Sequence, residues 1–264
     1  MDLNLVAFAG LVIYAAVTFG LRSLVQLRRT GSTGLRGISG SPGSLEWCAG
    51  VLLLLAFAGL GATPVLAWAG GAAARPLFSD ATVGAAGVVV FALGFAATFA
   101  AQLAMGTSWR IGVQPDEVTE LVTAGPFAVV RNPIFAAMLV TSAGLVLMIP
   151  SPVAVASLAV AVVAIELQVR RVEEPYLQRT HGQRYLAYAA RVGRFAPWVG
   201  RLSERPQRRF AVGEAVSAAG VVAATVSLYW LVPDSPLAHL SEPPYLAVIG
   251  YLATLVALAV LRAT

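Results

Sequence analysis

The chain has 264 residues, of which 58% are hydrophobic and only 12% charged, and its mean hydropathy is +0.78. Soluble domains have about a quarter of their residues charged, so the composition excludes a water-soluble globular protein and indicates an integral membrane protein. The formal charge of +5 rests on arginine alone, since lysine is absent, and the single cysteine, Cys48, excludes an internal disulfide or a cysteine metal cluster.

In chain order, apolar runs of membrane-spanning character fall at Leu5–Phe19, Cys48–Ala69, Ala81–Met105, Pro133–Ile149, Val153–Leu167, Ala211–Val232 and Tyr245–Leu261. They predict an all-α membrane protein with about seven transmembrane helices. Pro133–Ile149 and Val153–Leu167 are short and meet at Pro150 and Pro152, which predicts a helical hairpin, either as two complete spans or as a re-entrant pair. The N-terminus, MDLNLVAFAGLVIY, has an acidic residue, no basic region and no small-residue cleavage site, so it reads as a retained first span and not as a signal peptide. Cys48 sits at a helix start among small apolar residues and reads as a buried structural thiol.

Arg22, Arg28, Arg29, Arg36, Arg110, Arg131, the series from Arg170 to Arg209 and Arg262 fall on one side of this topology, whereas the other side has only Arg75 beside Asp2, Asp80, Asp234 and Glu242. The positive-inside rule then places the N-terminus outside and the C-terminus in the cytoplasm. We expect a bacterial plasma membrane. Three regions follow: N-terminal helices and a basic loop over 1–80, a core over 81–198, and an accessory C-terminal helix pair over 199–264. The loop Arg28–Ser44 is rich in glycine and serine and reads as a flexible connector near lipid headgroups.

Two polar segments flank the hairpin, Gly106–Asn132 and Glu166–Trp198. In the second, Glu166, Arg170, Glu173 and Glu174 are spaced to share one face of a regular helix, with Arg170 the natural partner of Glu166. Tyr185, Tyr188 and nearby arginines predict an amphipathic interfacial helix, with Phe195 to Trp198 as an aromatic anchor. His181 and His239 lie on opposite sides of the expected membrane, which argues against a di-histidine metal site. No phosphate loop, metalloprotease motif or nucleophile elbow is present, and no alternating strand–helix pattern supports a Rossmann cofactor site. Nothing points to nucleic acid. The uniformly apolar spans give transport little support.

GTSWRIG, then LVTAGPFAVVRNPIF, then RRVEEPYLQRTHGQRYLAY and a closing FAPW form an ordered set. This set resembles the membrane methyltransferase superfamily that includes isoprenylcysteine carboxyl methyltransferases and phospholipid N-methyltransferases. The resemblance covers about residues 85–198. It implies a cytoplasm-facing pocket for S-adenosylmethionine and methylation of an oxygen, sulfur or nitrogen on a hydrophobic small-molecule or lipid acceptor. Gly125, Pro126 and Phe127 would border the adenosine, with Pro133 and Phe135 on the same wall. Arg131 and Asn132 would lie near the reacting centre. Glu173 and Glu174 would receive the ammonium or the ribose hydroxyls, Glu174 acting at the reaction centre. His181, Tyr185 and Tyr188 would close the pocket. The sequence departs from the family pattern at Asn132 for histidine, Phe135 for tyrosine and Ala137 for glycine. Asparagine cannot exchange a proton near neutral pH, so any acid–base role of that histidine is lost. The alternatives are an NADPH-dependent enzyme resembling sterol reductases and a non-catalytic member of the family. Snorkelling at a headgroup would account for Arg131 alone, and a solvated helix face for the glutamate pair alone.

Overall fold

The computed structural model describes residues 2–35, 37–70, 74–111 and 120–202. The two expected spans after residue 210, with His239, lie outside them. Among the described residues the secondary structure is helical, apart from two isolated parallel bridges, Leu35–Ile111 and Val130–Gly193.

The helices are α1 (Leu3–Thr30), α2 (Leu45–Trp68), α3 (Ala81–Ala104), α4 (Pro133–Met148), α5 (Pro152–Leu167) and α6 (Glu174–Arg191). Their starts follow from local chemistry. The side chains of Asp2, Ser44, Asp80 and Ser151 accept hydrogen bonds from first-turn amides, and Pro133 and Pro152 stand where a missing N–H loses no helical bond. The first helix runs further than the expected Leu5–Phe19. A π-helical stretch at Ala16–Leu21 carries it on to Thr30, so Arg28 and Arg29 end a helix instead of opening a loop. Cys48 is half-buried.

Among the described residues, four helical runs are long and apolar enough to cross a membrane: Leu3–Thr30, Leu45–Trp68, Ala81–Ala104 and Pro152–Arg191. The last has 40 residues, about 60 Å at the helical rise and about twice the thickness of a hydrocarbon core. Only its apolar first part, α5, can lie in that core. Helices α4 and α5 have 16 residues each and form an even-legged hairpin. Arg131 and the charged stretch from Gln168 onward therefore sit beyond its feet.

Helix α3 packs along α4 and α2 along α5, while α1 lies against α2 with fewer contacts to α3 and α4. The α3–α4 seam is backbone on backbone. A Cβ at Gly87 would lie 2.8 Å from the Gly144 carbonyl and the Met148 amide, one at Gly94 would strike Thr141, and one at Gly144 would strike Phe91. Small residues permit this approach where lipid supplies no hydrophobic drive. The pairs Gly94–Thr141 and Phe91–Gly144 fix an antiparallel register that places Gln102 level with Pro133. An aromatic cluster of Tyr14, Phe19, Phe91 and Phe95 fills the space between α1 and α3.

The helix from Pro152 to Arg191 is regular only in parts. Its stretch Gln168–Glu173 is π-helical, and Gly182 has φ 51° and ψ −129°, which breaks the rod just after His181. The expectation that Glu166, Arg170, Glu173 and Glu174 share one face fails at this point. The wider π turn lets Glu166 pair with Arg170 on the outside while Glu173 and Glu174 turn to different neighbours.

Candidate active site

The loop before α4 reverses at Gly125, whose φ of +60° lies in the left-handed region that favours glycine, and forms one turn of 3-10 helix over Gly125–Ala128. It then runs beside the chain that follows α6. The Arg131 amide donates to the Gly193 carbonyl at 2.7 Å, and the Asn132 amide donates to the Arg194 carbonyl at 3.0 Å.

The Arg131 side chain is 6% exposed and pins these pieces together. Its Nη1 donates to the carbonyls of Ala189 (3.0 Å) and Val192 (2.6 Å), and its Nη2 donates to the Gly200 carbonyl (3.0 Å) and to Glu174 Oε1 (2.6 Å). Glu174 in turn accepts from Arg194 Nε at 2.7 Å and Nη2 at 2.9 Å. Burial pushes the Glu174 pKa up. The hydrogen bond and charge of Arg194, then those of Arg131, outweigh it and hold the carboxyl below its ordinary value. One carboxylate thus binds two guanidiniums in a buried triad, and a headgroup-snorkelling role does not describe Arg131.

Beside the triad is a cavity of about 710 Å³. Its polar end is bordered by Arg110, Glu120, Gln168, Glu173 and Tyr176, with the aromatic rings of Phe127, Tyr185 and Tyr188. Arg110 stacks over Tyr176 at 5.3 Å, and the Tyr188 hydroxyl donates to the Phe127 carbonyl at 2.6 Å. The Glu173 pKa is pushed up to about 7, first by burial; a hydrogen bond from Gln168 and the Arg110 charge oppose this, while Glu174 adds to it. The other end is an apolar arm among α1, α2 and α4 that reaches Leu11, Leu60 and Leu145. Segments before the hairpin complete the enclosure. Arg22 donates to the Gly106 carbonyl and lies 4.8 Å from the Trp109 ring centre, and Gln26 Nε2 donates to the Thr107 carbonyl at 2.7 Å.

Of the residues singled out in the sequence, Phe127, Arg131, Asn132, Pro133, Phe135, Glu173, Tyr185 and Tyr188 border this cavity. Gly125, Pro126, Glu174 and His181 do not. Glu174 lies behind the wall, in the triad. The His181 Nε2 is buried without a hydrogen-bond partner among the described residues, and burial, then Arg184 and Arg110, push its pKa down. Tyr185 and Tyr188 are buried, not spread over an interface, whereas Trp198 is 75% exposed. Arg194 and Gln102 were not foreseen. Arg194 is one arginine among many in its segment, and Gln102 ends an apolar run with no motif around it.

The phospholipid methyltransferase family profile matches residues 83–184. Protein-S-isoprenylcysteine O-methyltransferase B of Arabidopsis thaliana is 32% identical over 89 residues, which cover 34% of this chain and 45% of that protein. Over these residues the chain is similar to the isoprenylcysteine and phospholipid methyltransferases. The match spans less than half the length of that relative, and no solved structure matches the chain. Within the matched segment lie the α3–α4 seam, the hairpin, the π turn and the paired glutamates. The arm's walls on α1 and α2 lie outside the matched segment.

Proposed function

We propose that the chain is a membrane-embedded methyltransferase that uses S-adenosylmethionine and methylates a hydrophobic or lipid-borne acceptor. The observation that carries this reading is a cavity that joins a charge-lined end to an apolar arm walled by helices long and apolar enough to cross a membrane. The residues present fit the cofactor's chemistry. Glu173 offers a carboxylate for an ammonium, Arg110 offers a guanidinium for a carboxylate, and Phe127, Tyr185 and Tyr188 offer rings against which a base can pack.

When bound, the cofactor supplies an electrophilic methyl group for an in-line displacement. The chain's own contribution is alignment and exclusion of water. The Arg131–Glu174–Arg194 triad fixes the wall that carries Asn132, and Asn132 donates to the Arg194 carbonyl at 3.2 Å. In this reading Arg131 and Glu174 are positioning residues, and Glu173 is the carboxylate that meets the ligand. Asn132 cannot take up a proton, so the acceptor's nucleophile arrives without a proton to be removed there, and the side chain orients the acceptor. The arginine distribution supports a cytoplasmic polar end.

Isothermal titration of the purified protein with S-adenosylhomocysteine and with NADPH tests this function. Saturable binding of the first, absence of the second, and at least tenfold weaker binding by Glu173→Gln are expected. Binding of NADPH without S-adenosylhomocysteine would overturn it in favour of a reductase.

A further inference from the structure

Arg22 follows the π-helical stretch of α1, is 3% exposed and does not border the cavity. A guanidinium this deep is costly unless oriented acceptors meet it. Those acceptors come from the segment after α3. Gly106–Ile111 has only one 3-10 turn of its own, so its carbonyls need partners from elsewhere. Arg22 donates to the Gly106 carbonyl and lies 4.8 Å from the Trp109 ring centre. Its Nη1 also donates to Gln26 Oε1 at 3.2 Å, which turns the Gln26 amide so that Nε2 donates to the Thr107 carbonyl at 2.7 Å. From the other side Gly34, with φ of +74°, lies so close to Trp109 that a Cβ there would be 3.0 Å from the ring, and its carbonyl accepts from the Ile111 amide at 2.8 Å. Arg110 therefore stands between two held residues. Its guanidinium reaches the charged end of the cavity, stacked over Tyr176 and close enough to Glu173 for its charge to act there.

We infer that Arg22 is a positioning residue. Through the Gly106 carbonyl and the Trp109 ring it holds Arg110 at the charged end of the cavity, where Arg110 meets the carboxylate of the ligand's amino-acid end. The identity of that ligand rests on the methyltransferase reading, but the hold on Arg110 does not. A long side chain loses rotamer freedom when it is fixed on a ligand, and holding it in place beforehand lowers that cost. The benefit is local. The rings of Phe127, Tyr185 and Tyr188, against which a base can pack, stand on other elements, so Arg22 affects the amino-acid end of the ligand and not its nucleoside.

Wild type, Arg22→Met, Arg110→Met and the double variant, as full chains in detergent, are titrated with S-adenosylhomocysteine and with methylthioadenosine, which lacks the amino-acid end. Arg22→Met is expected to weaken S-adenosylhomocysteine about tenfold, the loss of one charge-assisted contact, and to leave methylthioadenosine unchanged. In the Arg110→Met background it should cost nothing further. Gln26→Met, which releases the Thr107 carbonyl, is the second variant should Arg22→Met fail to fold, and the same selective loss in weaker form is expected of it. A readout without ligand comes from His181, whose pKa is pushed down by burial, then by Arg184 and Arg110. Followed by ring carbon NMR in a His239→Gln background, the His181 pKa should rise in Arg22→Met as it does in Arg110→Met. Equal weakening of both ligands, or additive losses in the double variant, means a packing role for Arg22 and overturns the inference. A His181 that titrates in Arg22→Met as in wild type overturns it too. If wild type binds neither ligand but the His181 pKa rises in both variants, the methyltransferase reading fails and the hold on Arg110 stands.

Discussion

Replacing Glu174 with glutamine separates a wall-holding role from a ligand-binding one. The substitution keeps the shape and one acceptor oxygen but removes the charge between two buried guanidiniums. Arg131 retains three backbone acceptors, the carbonyls of Ala189, Val192 and Gly200. Arg194 is worse placed, because its two side-chain hydrogen bonds, at 2.7 and 2.9 Å, both go to Glu174. Removing one partner of a buried ion pair costs about 3–5 kcal/mol, because the remaining charge stays desolvated. For a chain of this size each kcal/mol lowers Tm by about 2–4 °C, so a fall on the order of 10 °C is expected. Thermal unfolding in detergent, followed by tryptophan fluorescence, reads it directly. Adding Arg194→Met to Glu174→Gln removes the orphaned charge and should recover part of the loss, by about 0.5–3 kcal/mol of coupling. The sign with pH follows. The folded pKa of Glu174 is depressed, so its stabilisation is present above the unfolded value and is lost as pH falls through the folded one. Wild type therefore loses an acid-sensitive stability that the variant lacks. A Glu174→Gln Tm within about 2 °C of wild type, together with a large loss of S-adenosylhomocysteine affinity, would refute the reasoning and place Glu174 on the ligand.

The remaining predictions address the cavity and the seam. Glu173 titrates at about 7, so binding of an ammonium-bearing ligand should strengthen as pH rises through neutrality, and Glu173→Gln should flatten that profile in titrations across this range. Its folded pKa is raised, so its stabilisation is fully present below the unfolded value and lost as pH rises through about 7. Glu173→Gln should remove that decline in thermal unfolding without the large Tm loss of Glu174→Gln. At the seam, Gly144→Val places side-chain atoms against the Phe91 backbone. It should destabilise by about 3 kcal/mol or more, since overpacking here moves backbone as well as side chains, with the loss read as a lower Tm or a lower yield of folded protein.

Among the described residues the sequence specified most of the helices, because apolar runs bounded by Asp80, Ser151 and the two helix-starting prolines carry their own limits. The ordered motifs, and not the charges taken singly, pointed to Arg131 and the glutamate pair, since an isolated arginine or glutamate pair beside a hairpin is equally a snorkelling or solvated group. The division of labour within that pair was not legible. A regular helix puts Glu173 and Glu174 about 100° apart, on overlapping sides, and only the π turn at Gln168–Glu173 shows which one meets the cavity. Helix type depends on packing around the turn, which no local pattern encodes. Arg194 was hidden for a related reason, since its value comes from the bridge between Val130 and Gly193, a pairing across 63 residues of chain. Gln102 was hidden because an unpaired oxygen has no sequence signature; only the Thr18 carbonyl opposite its amide reveals which end is left over.

If the proposed methyltransferase reading holds, the distribution of the cavity wall separates selection of the acceptor's chain from the charged end. The charged end is built from the loop before α4, the π turn and α6, largely within the matched segment 83–184. The arm is built in large part from α1 and α2, including Leu11, Tyr14, Phe57 and Leu60, which lie outside it. Groups that bind a common cofactor must keep fixed charges in fixed places, and changes there leave buried charges unpaired. Apolar arm residues face only a volume constraint, and hydrophobic swaps of similar size cost little. Selection of the acceptor's chain can therefore drift on α1 and α2 without disturbing the charged end. Asn132 borders the cavity beside Arg131 and Pro133. In the proposed methyltransferase Asn132 has no imidazole to take a proton, so what it contributes is an amide held in place by its bond to the Arg194 carbonyl.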